Sequence, residues 1–148
     1  MRAPVKLRID NNSMIGDFFS DARLLGIVAP MEQYRFCWHL NRMLNFNFRI
    51  NHNLEIQLNK KTRNYFFPIY EYNNPSVIIK HYLYSNKDDG EFLLPEFRHL
   101  DFLWLTKDDI ITDEEINLLT GSIKSIPAVQ LVTELTHEKI KNKQHLIF

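Results

Sequence analysis

The chain has 148 residues, of which 45% are hydrophobic and 24% charged, a composition typical of one folded domain over residues 1–148. Lysine plus arginine equals aspartate plus glutamate at 18 each, so the zero net charge does not favour a nucleic-acid-binding protein. The single cysteine, Cys37, excludes an internal disulfide and a cysteine-based zinc site. The start lacks an apolar signal-peptide core, and no apolar run approaches the ~20 residues of a membrane helix. We therefore expect a cytoplasmic protein.

The first third of the chain is predicted to contain two strands and a helix. Apolar and polar residues alternate over 5–10, as in a half-buried strand, and the polar residues 11–13 then end the pattern. Residues 23–28 are almost wholly apolar, which predicts a central strand. Pro30 is expected at the first position of a helix ending near Leu44, because proline loses no hydrogen bond there.

Extended chain dominates the middle of the sequence. Strands are predicted over 46–50, 54–58, 65–72 and 77–84. A polar turn is expected at 59–62, and residues 73–75 are predicted to join two strands as a hairpin, because Pro75 cannot donate to a central ladder. Residues 86–90 are the most loop-like stretch of the chain.

The last third is predicted to form a strand (100–105), a helix (113–123) and a second strand (129–135). Thr112 and Glu115 form a T-x-x-E capping box, which places the helix start. Ile116, Leu119 and Ile123 then face inward. The apolar end, 146–148, is expected to dock on the body of the protein.

This element order contains two β-α-β passages separated by long strands. It predicts an α+β fold with a mixed, mostly antiparallel sheet and two main helices on one face, distantly related to ferredoxin-like layouts.

Residues 94–102, Leu-Pro-Glu-Phe-Arg-His-Leu-Asp-Phe, resemble an I-P-E-x-x-x-V-D-Y motif, with Pro95, Glu96 and Asp101 matched and Phe102 in place of tyrosine. Leu25-Gly26-Ile27, Tyr34-Arg35, Leu40-Asn41 and the closing Leu-Ile-Phe also fit this pattern. The chain is thus similar to the bacterial IPExxxVDY family over most of its length. The resemblance implies no activity and no catalytic residue, and Phe102 lacks the hydroxyl group of the family's tyrosine.

The motif itself allows two interpretations. Strand alternation would place His99, Asp101 and Leu103 on one face, and Leu100 with Phe102 on the other. A carboxylate among large apolar residues needs a cation or several N–H donors.

In the functional interpretation, Glu96 and Asp101 form an acid–base pair beside His99, as in a hydrolase or lyase. In the structural interpretation, which we favour, Arg35, Arg98 or loop amides hold the two carboxylates.

Familiar cofactor sites are not apparent in the sequence. The histidines lack metal-ligand spacing such as H-E-x-x-H, and the four glycines form no phosphate-binding loop. Cys37 lies between Phe36 and Trp38, as expected of a small core residue rather than a nucleophile. We therefore predict no metal and no cofactor.

Aromatic residues in the predicted strands offer one route to RNA. Tyrosines 70, 72, 82 and 84, with Lys80 between the two pairs, could stack single-stranded bases on a sheet face. Lys60, Lys61 and Arg63 form a basic patch, although they also suit a solvated turn. Aromatic pairing across strands gives the same pattern, so RNA binding is the second choice.

The first predicted helix carries two apolar stripes. Helical residues advance by about 100° each, which groups five residues on the core side: Phe36, Cys37, Leu40, Met43 and Leu44. On nearly the opposite side lie Met31, Tyr34 and Trp38, bordered by Arg35 and Arg42. Tyrosine, tryptophan and arginine are enriched in protein interfaces.

We therefore predict that Tyr34, Arg35 and Trp38 bind a second copy of the chain or another cytosolic protein. The alternative is that a loop or the apolar end of the chain covers this stripe.

Overall fold

The structure of the protein is a computed structural model that describes residues 13–74, 76, 78–108 and 110–148. The described chain forms three α-helices: α1 (13–19), α2 (Gln33–Leu44) and α3 (Asp113–Lys124). It forms eight strands: β1 (Ala22–Val28), β2 (Arg49–Lys60), β3 (Arg63–Tyr72), β4 (Lys80–Ser85), β5 (Lys87–Asp88), β6 (Glu91–Phe92), β7 (Phe102–Lys107) and β8 (Leu131–Leu135). Short 3-10 turns cover Pro95–Phe97, His137–Lys139 and Lys143–Leu146. The strand predicted at 5–10 lies outside the described residues.

Six strands form one sheet in the order β2-β3-β4-β7-β1-β8, and β5 pairs with β6 in a separate hairpin. All pairings between the described strands are antiparallel. The predicted α+β class with a mostly antiparallel sheet is confirmed, although no parallel pair joins described neighbours. The order β4-β7-β1-β8, with α2 after β1 and α3 after β7, matches a ferredoxin-like unit extended by the β2–β3 hairpin.

The sheet is covered on both faces. Helices α2 and α3 lie on one face, over buried residues that include Leu25, Phe102 and Trp104. The other face packs against α1, the 93–100 segment and the end of the chain. Leu100 belongs to this second cluster, so the prediction that it shares a face with Phe102 is wrong. Strand geometry begins only at Phe102, and the preceding turn points Leu100 the other way.

Helix α2 begins at Gln33, three residues later than the position predicted from Pro30. The Met31 amide donates to the Ala29 carbonyl at 2.7 Å in a tight turn. Glu32 then stays extended, with ψ of 152°, so helical geometry cannot start before Gln33.

The strands in the middle of the chain differ from prediction in how they are connected. The extended stretches predicted at 46–50 and 54–58 correspond to one strand, β2, which begins only at Arg49 and whose register with β3 is irregular between Ile50 and Glu55. Lys61 and Thr62 make the β2–β3 turn with φ of 52° and 64°, the geometry of a tight hairpin turn. The stretch 86–90, predicted as a loop, contributes to the β5–β6 hairpin, which turns at Asp89 and Gly90 with positive φ.

An arginine ion-pair group and a lysine hydrogen bond attach helices to the sheet. Thr112 caps α3 by accepting the Glu115 amide at 3.1 Å, which confirms the helix start predicted there. On β1, Arg23 donates to both carboxylate oxygens of Glu134 at 2.7 and 2.8 Å and lies 2.9 Å from Asp113, at the start of α3. Helix α1, which the sequence analysis did not predict, is held by Lys107, whose ammonium group donates to the Phe18 carbonyl at 2.6 Å.

Gly26 explains how Leu100 reaches the core. A Cβ atom at position 26 would lie 2.4 Å from Leu100 Cδ1, far inside van der Waals contact. Leu100 is almost fully buried, so its side chain has little room to move aside. The close approach of this strand to the 93–100 segment therefore requires a residue without a side chain.

Replacing Gly26 by alanine is expected to lower the free energy of unfolding by about 1–3 kcal/mol, because the new methyl group overpacks the core. Urea unfolding measures this change. Gly16→Ala is the matched control, since apart from its chain neighbours and its own helix backbone no described atom lies within 4 Å of the position that a Cβ would take at residue 16. Leu100→Ala should cost less in the Gly26→Ala background than in the wild type. Additive losses would contradict the steric explanation.

His81 is a buried neutral side chain. Its Nδ1 accepts a hydrogen bond from Trp104 Nε1 at 3.0 Å, among the rings of Phe46 and Tyr72. Burial lowers the pKa of His81 from 6.5 to about 4. The unfolded chain therefore takes up a proton at this site at a higher pH than the folded chain.

Stability is expected to fall as the pH is lowered from about 6.5 to 4, because only the unfolded state is protonated at His81 in that interval. At about pH 4.5, this difference in protonation should lower the free energy of unfolding by about 2.5 kcal/mol. His81→Gln keeps an acceptor for Trp104 but cannot titrate. Urea unfolding near neutral pH and near pH 4.5 should show a smaller loss in the variant, and equal losses would contradict a neutral buried histidine.

Candidate functional site

Helix α2 presents a row of large side chains away from the sheet. Phe36, Cys37 and Leu40 are buried against the sheet, as predicted, although Met43 is exposed near the helix end rather than buried. On the opposite side, Tyr34 is 62% exposed and Trp38 is 54% exposed. We call the exposed row the α2 outer face; it consists of Tyr34, Arg35, Trp38 and Arg42.

The α2 outer face has a defined shape and charge. Tyr34, Arg35 and Trp38 line an open cavity of about 460 Å³. The Arg42 guanidinium lies 5.3 Å from the centroid of the Trp38 ring, within the range of a cation–π interaction. Met31, predicted on the same stripe, is half-buried and packs toward the core. The face thus combines two aromatic rings with two arginines.

The end of the chain does not cover this face. Leu146 is fully buried on the other side of the sheet, and its carbonyl accepts a hydrogen bond from the Tyr84 hydroxyl at 2.7 Å. The Phe148 ring lies 4.8 Å from that of Tyr82 on this same side. Docking of the apolar end is confirmed, and the explanation that this segment covers Trp38 is wrong.

The central motif forms a turn rather than a straight entry into a strand. Pro95 begins the 3-10 turn Pro95–Phe97, and β7 starts only at Phe102. Glu96 accepts hydrogen bonds from the Lys141 amide at 2.6 Å and from the Asn142 amide at 2.9 Å. Asn142 Nδ2 donates to the second carboxylate oxygen at 2.7 Å.

Burial opposes ionisation of Glu96, but the hydrogen bonds from Asn142 and the backbone outweigh it and lower the pKa of this carboxyl group. A lowered pKa keeps Glu96 charged at neutral pH, so it is a poor general acid. Its hydrogen bonds tie the motif to the C-terminal segment.

Asp101 and Phe102 are held on the other side of the motif, next to α2. Asp101 Oδ2 accepts the Ala29 amide at 2.8 Å, just before the helix. Phe102 is buried, and its ring stacks on Phe36 of α2 with centroids 4.7 Å apart. Asp101 and Phe102 also line a cavity of about 350 Å³ with residues of the α2 entry and the β5–β6 hairpin.

The three candidate acid–base residues do not share hydrogen bonds. Glu96 contacts the C-terminal segment, Asp101 contacts Ala29, and His99 is exposed beside Phe97. No hydrogen bond between described residues connects Glu96, His99 and Asp101. The two carboxylates are instead each held by a different part of the fold, and the hydrolase or lyase alternative stays a prediction.

Asn86 is a residue that organises the motif and that the sequence analysis missed. Its buried amide nitrogen donates to the carbonyls of Phe97 and Leu100 at 2.9 and 3.0 Å, and its amide oxygen accepts the Leu94 N–H at 2.8 Å. Asn86 lies in the most loop-like stretch of the sequence, so its position shortly before the motif was the one signal that could have indicated its role.

The tyrosines considered for RNA binding face different ways. Tyr70 and Tyr72 pack toward the cluster beneath α2 and α3, whereas Tyr82 and Tyr84 pack toward the opposite cluster. Tyr84 is completely buried. The four rings therefore do not form one exposed row on the sheet.

The basic patch at the β2–β3 turn is also partly neutralised. Lys60 Nζ lies 2.9 Å from a Glu91 carboxylate oxygen, and Arg63 pairs with Asp89. Both partners come from the β5–β6 hairpin. Two of the three cations in this patch thus support packing of that hairpin.

Ligand groups for a metal are not clustered in the described residues, where no set of three or more histidine, cysteine, aspartate or glutamate side chains comes together. Burial raises the pKa of Cys37 to about 12, so its thiol is not a nucleophile at neutral pH. Of the helices in the described part of the chain, none is long and apolar enough to cross a membrane.

Comparison with known protein families finds no match to this sequence. Comparison with curated proteins finds no match either. Similarity to the IPExxxVDY family therefore stays a prediction, and the arguments about function depend on the residues and their geometry.

Asp101 is expected to stabilise the fold rather than to react. Asp101→Ala removes the acceptor of the Ala29 amide and should lower the free energy of unfolding by about 1–3 kcal/mol. Asp101→Asn retains an oxygen acceptor and should lose less. His99→Ala, at an exposed position of the same segment, serves as the control. An Asp101→Ala protein as stable as the wild type in urea would contradict this role.

Proposed function

We propose that this protein is a non-enzymatic interaction domain of the cytoplasm that self-associates through the α2 outer face. The observation that carries the proposal is the exposure of Tyr34 and Trp38, which lie one helical turn apart and are each more than half accessible. Scattered single aromatics are common on protein surfaces, but adjacent tyrosine and tryptophan flanked by arginines have the composition of an interface centre.

The rigidity of the helix supports this proposal. Phe36 and Leu40 are fully buried on the core side, and the Phe36 ring stacks on Phe102 of the sheet. A helix fixed in this way presents Tyr34 and Trp38 in one orientation. Little conformational entropy is then lost when a partner binds, which favours association.

Replacing Tyr34 and Trp38 together by glutamate is expected to convert a dimer into a folded monomer, because two charges would be placed in the centre of the contact. Light scattering over a range of concentrations measures the mass, and circular dichroism checks folding. Phe66→Glu is the matched control, since Phe66 is an exposed aromatic on a strand, β3, rather than on a helix. A wild type that stays monomeric at high concentration would refute self-association.

A further inference from the structure

Helix α3 presents a second exposed face whose chemistry is opposite to that of α2. Leu118 is 73% exposed, and it lines an open cavity of about 380 Å³ with Glu114 and Asn117. Together with Gly121, these residues define the α3 outer face. Acidic side chains fill the first turn of α3, whereas α2 contains two arginines and no acidic residue. The two helices therefore differ in charge sign.

The two outer faces lie side by side. Helices α2 and α3 contact each other and cover the same face of the sheet. Strands β1 and β7, which precede α2 and α3, are antiparallel neighbours. The helices that return from them therefore also run in opposite directions. One continuous surface thus carries a basic aromatic half and an acidic aliphatic half.

The charges on this surface have no ionic partners within the described chain. None of the ion pairs formed between described residues includes Arg35, Arg42 or Glu114. By contrast, Arg23, which lies beneath α3, is fully paired with Glu134 and Asp113. The exposed charges of the two outer faces are thus available to a partner.

Gly121 lies inside helix α3 at a position with open space around it. A glycine inside a helix costs about 1 kcal/mol relative to alanine. Apart from the backbone of its own helix and its chain neighbours, no described atom lies within 4 Å of the position where its Cβ would be, so packing does not require glycine there. A bulky side chain of a partner can approach the helix backbone closely at this position.

Building on the proposed function, we infer that the partner is a second copy of this chain, with α2 of each protomer lying on α3 of the other. A two-fold axis parallel to the helices places the basic aromatic half of each protomer on the acidic aliphatic half of the other. The same contact therefore occurs twice, as a symmetric dimer requires. An axis perpendicular to the helices would instead place α2 on α2, with like charges in contact.

Exposed side chains on α2 and on α3 have similar spacing along the helix axis. Three or four residues of helix span about 4.5–6 Å, so side chains at intervals of three or four residues on one helix can meet side chains at similar intervals on the other. In the inferred dimer we therefore pair Arg42 with the partner's Glu114, Trp38 with the partner's Leu118, and Tyr34 with the partner's Gly121.

The interface is small. Two 12-residue helices about 18 Å long, packed about 10 Å apart, offer only a few hundred Å² per protomer. This area is at the low end for specific complexes, and we expect a reversible dimer with a dissociation constant in the micromolar range or weaker. Association must therefore be measured across protein concentrations from about 1 µM to about 1 mM.

Charge reversal tests which helices meet. Arg42→Glu alone places a second carboxylate against Glu114, and Glu114→Arg alone places two arginines together, so each variant should dimerise at least about tenfold more weakly. A heterodimer of the two variants has one contact between wild-type residues and one between the two reversed residues, so both contacts join opposite charges. Sedimentation velocity of the mixture should then show a dimer that neither variant forms alone. The double variant Arg42→Glu/Glu114→Arg should also dimerise.

Two controls complete the experiment. Glu55→Arg and Lys139→Glu reverse exposed charges outside the helix layer and should leave the dissociation constant unchanged. If Tyr34→Glu/Trp38→Glu abolishes the dimer but the mixed Arg42 and Glu114 variants do not recover it, the α2–α3 pairing is wrong while self-association through α2 stands. A wild type that is monomeric at about 1 mM overturns the proposed function and this inference together.

Discussion

The buried side chain of Asn86 holds together the part of the molecule on which the remaining packing depends. A buried amide is tolerated only when its donors and acceptor are paired, and both ends of Asn86 are used by main-chain groups of residues 94–100. Its own backbone pairs with Leu93 and Asp101. Five hydrogen bonds that involve one residue thus hold a segment whose only regular structure is a short 3-10 turn, and this segment places Leu94 and Leu100 in the core.

The residues that match the motif contact different parts of the fold. Glu96 reaches the C-terminal segment through Asn142, whereas Asp101 reaches the entry of α2 through the Ala29 amide. Between them, Leu100 fits against Gly26 of β1. A pattern of proline, two carboxylates and an aromatic residue therefore need not indicate catalysis, because each charged group is satisfied by a different part of the fold.

Sequence periodicity predicted the features that depend on local spacing. The burial of Phe36 and Leu40, the exposure of Tyr34 and Trp38, and the cap at Thr112 all follow from helical geometry or from one side chain near its own backbone. Prediction failed at the irregular connections. The delayed start of α2 comes from a tight turn just before the helix, and the β5–β6 hairpin comes from a two-residue turn with positive φ. The role of Asn86 depends on main-chain groups 8 to 14 residues away, which sequence periodicity does not reveal. For the candidate site, the aromatic residues could be predicted, whereas the complementary face on α3 required the topology.

The motif and the exposed helix face are physically connected. Asp101 holds the Ala29 amide just before α2, and Phe102, the next residue, stacks on Phe36 within the helix. Two successive residues of the motif therefore fix the entry and the middle of α2 relative to the sheet. Arg23 does the same for α3 through Asp113. The proposed dimer interface on two short helices has little area, so we expect its affinity to depend on a constant relative orientation of the helices. We infer that the buried contacts of the motif supply that constraint without contacting the proposed partner, so that a residue of the motif can influence binding while its own role remains structural.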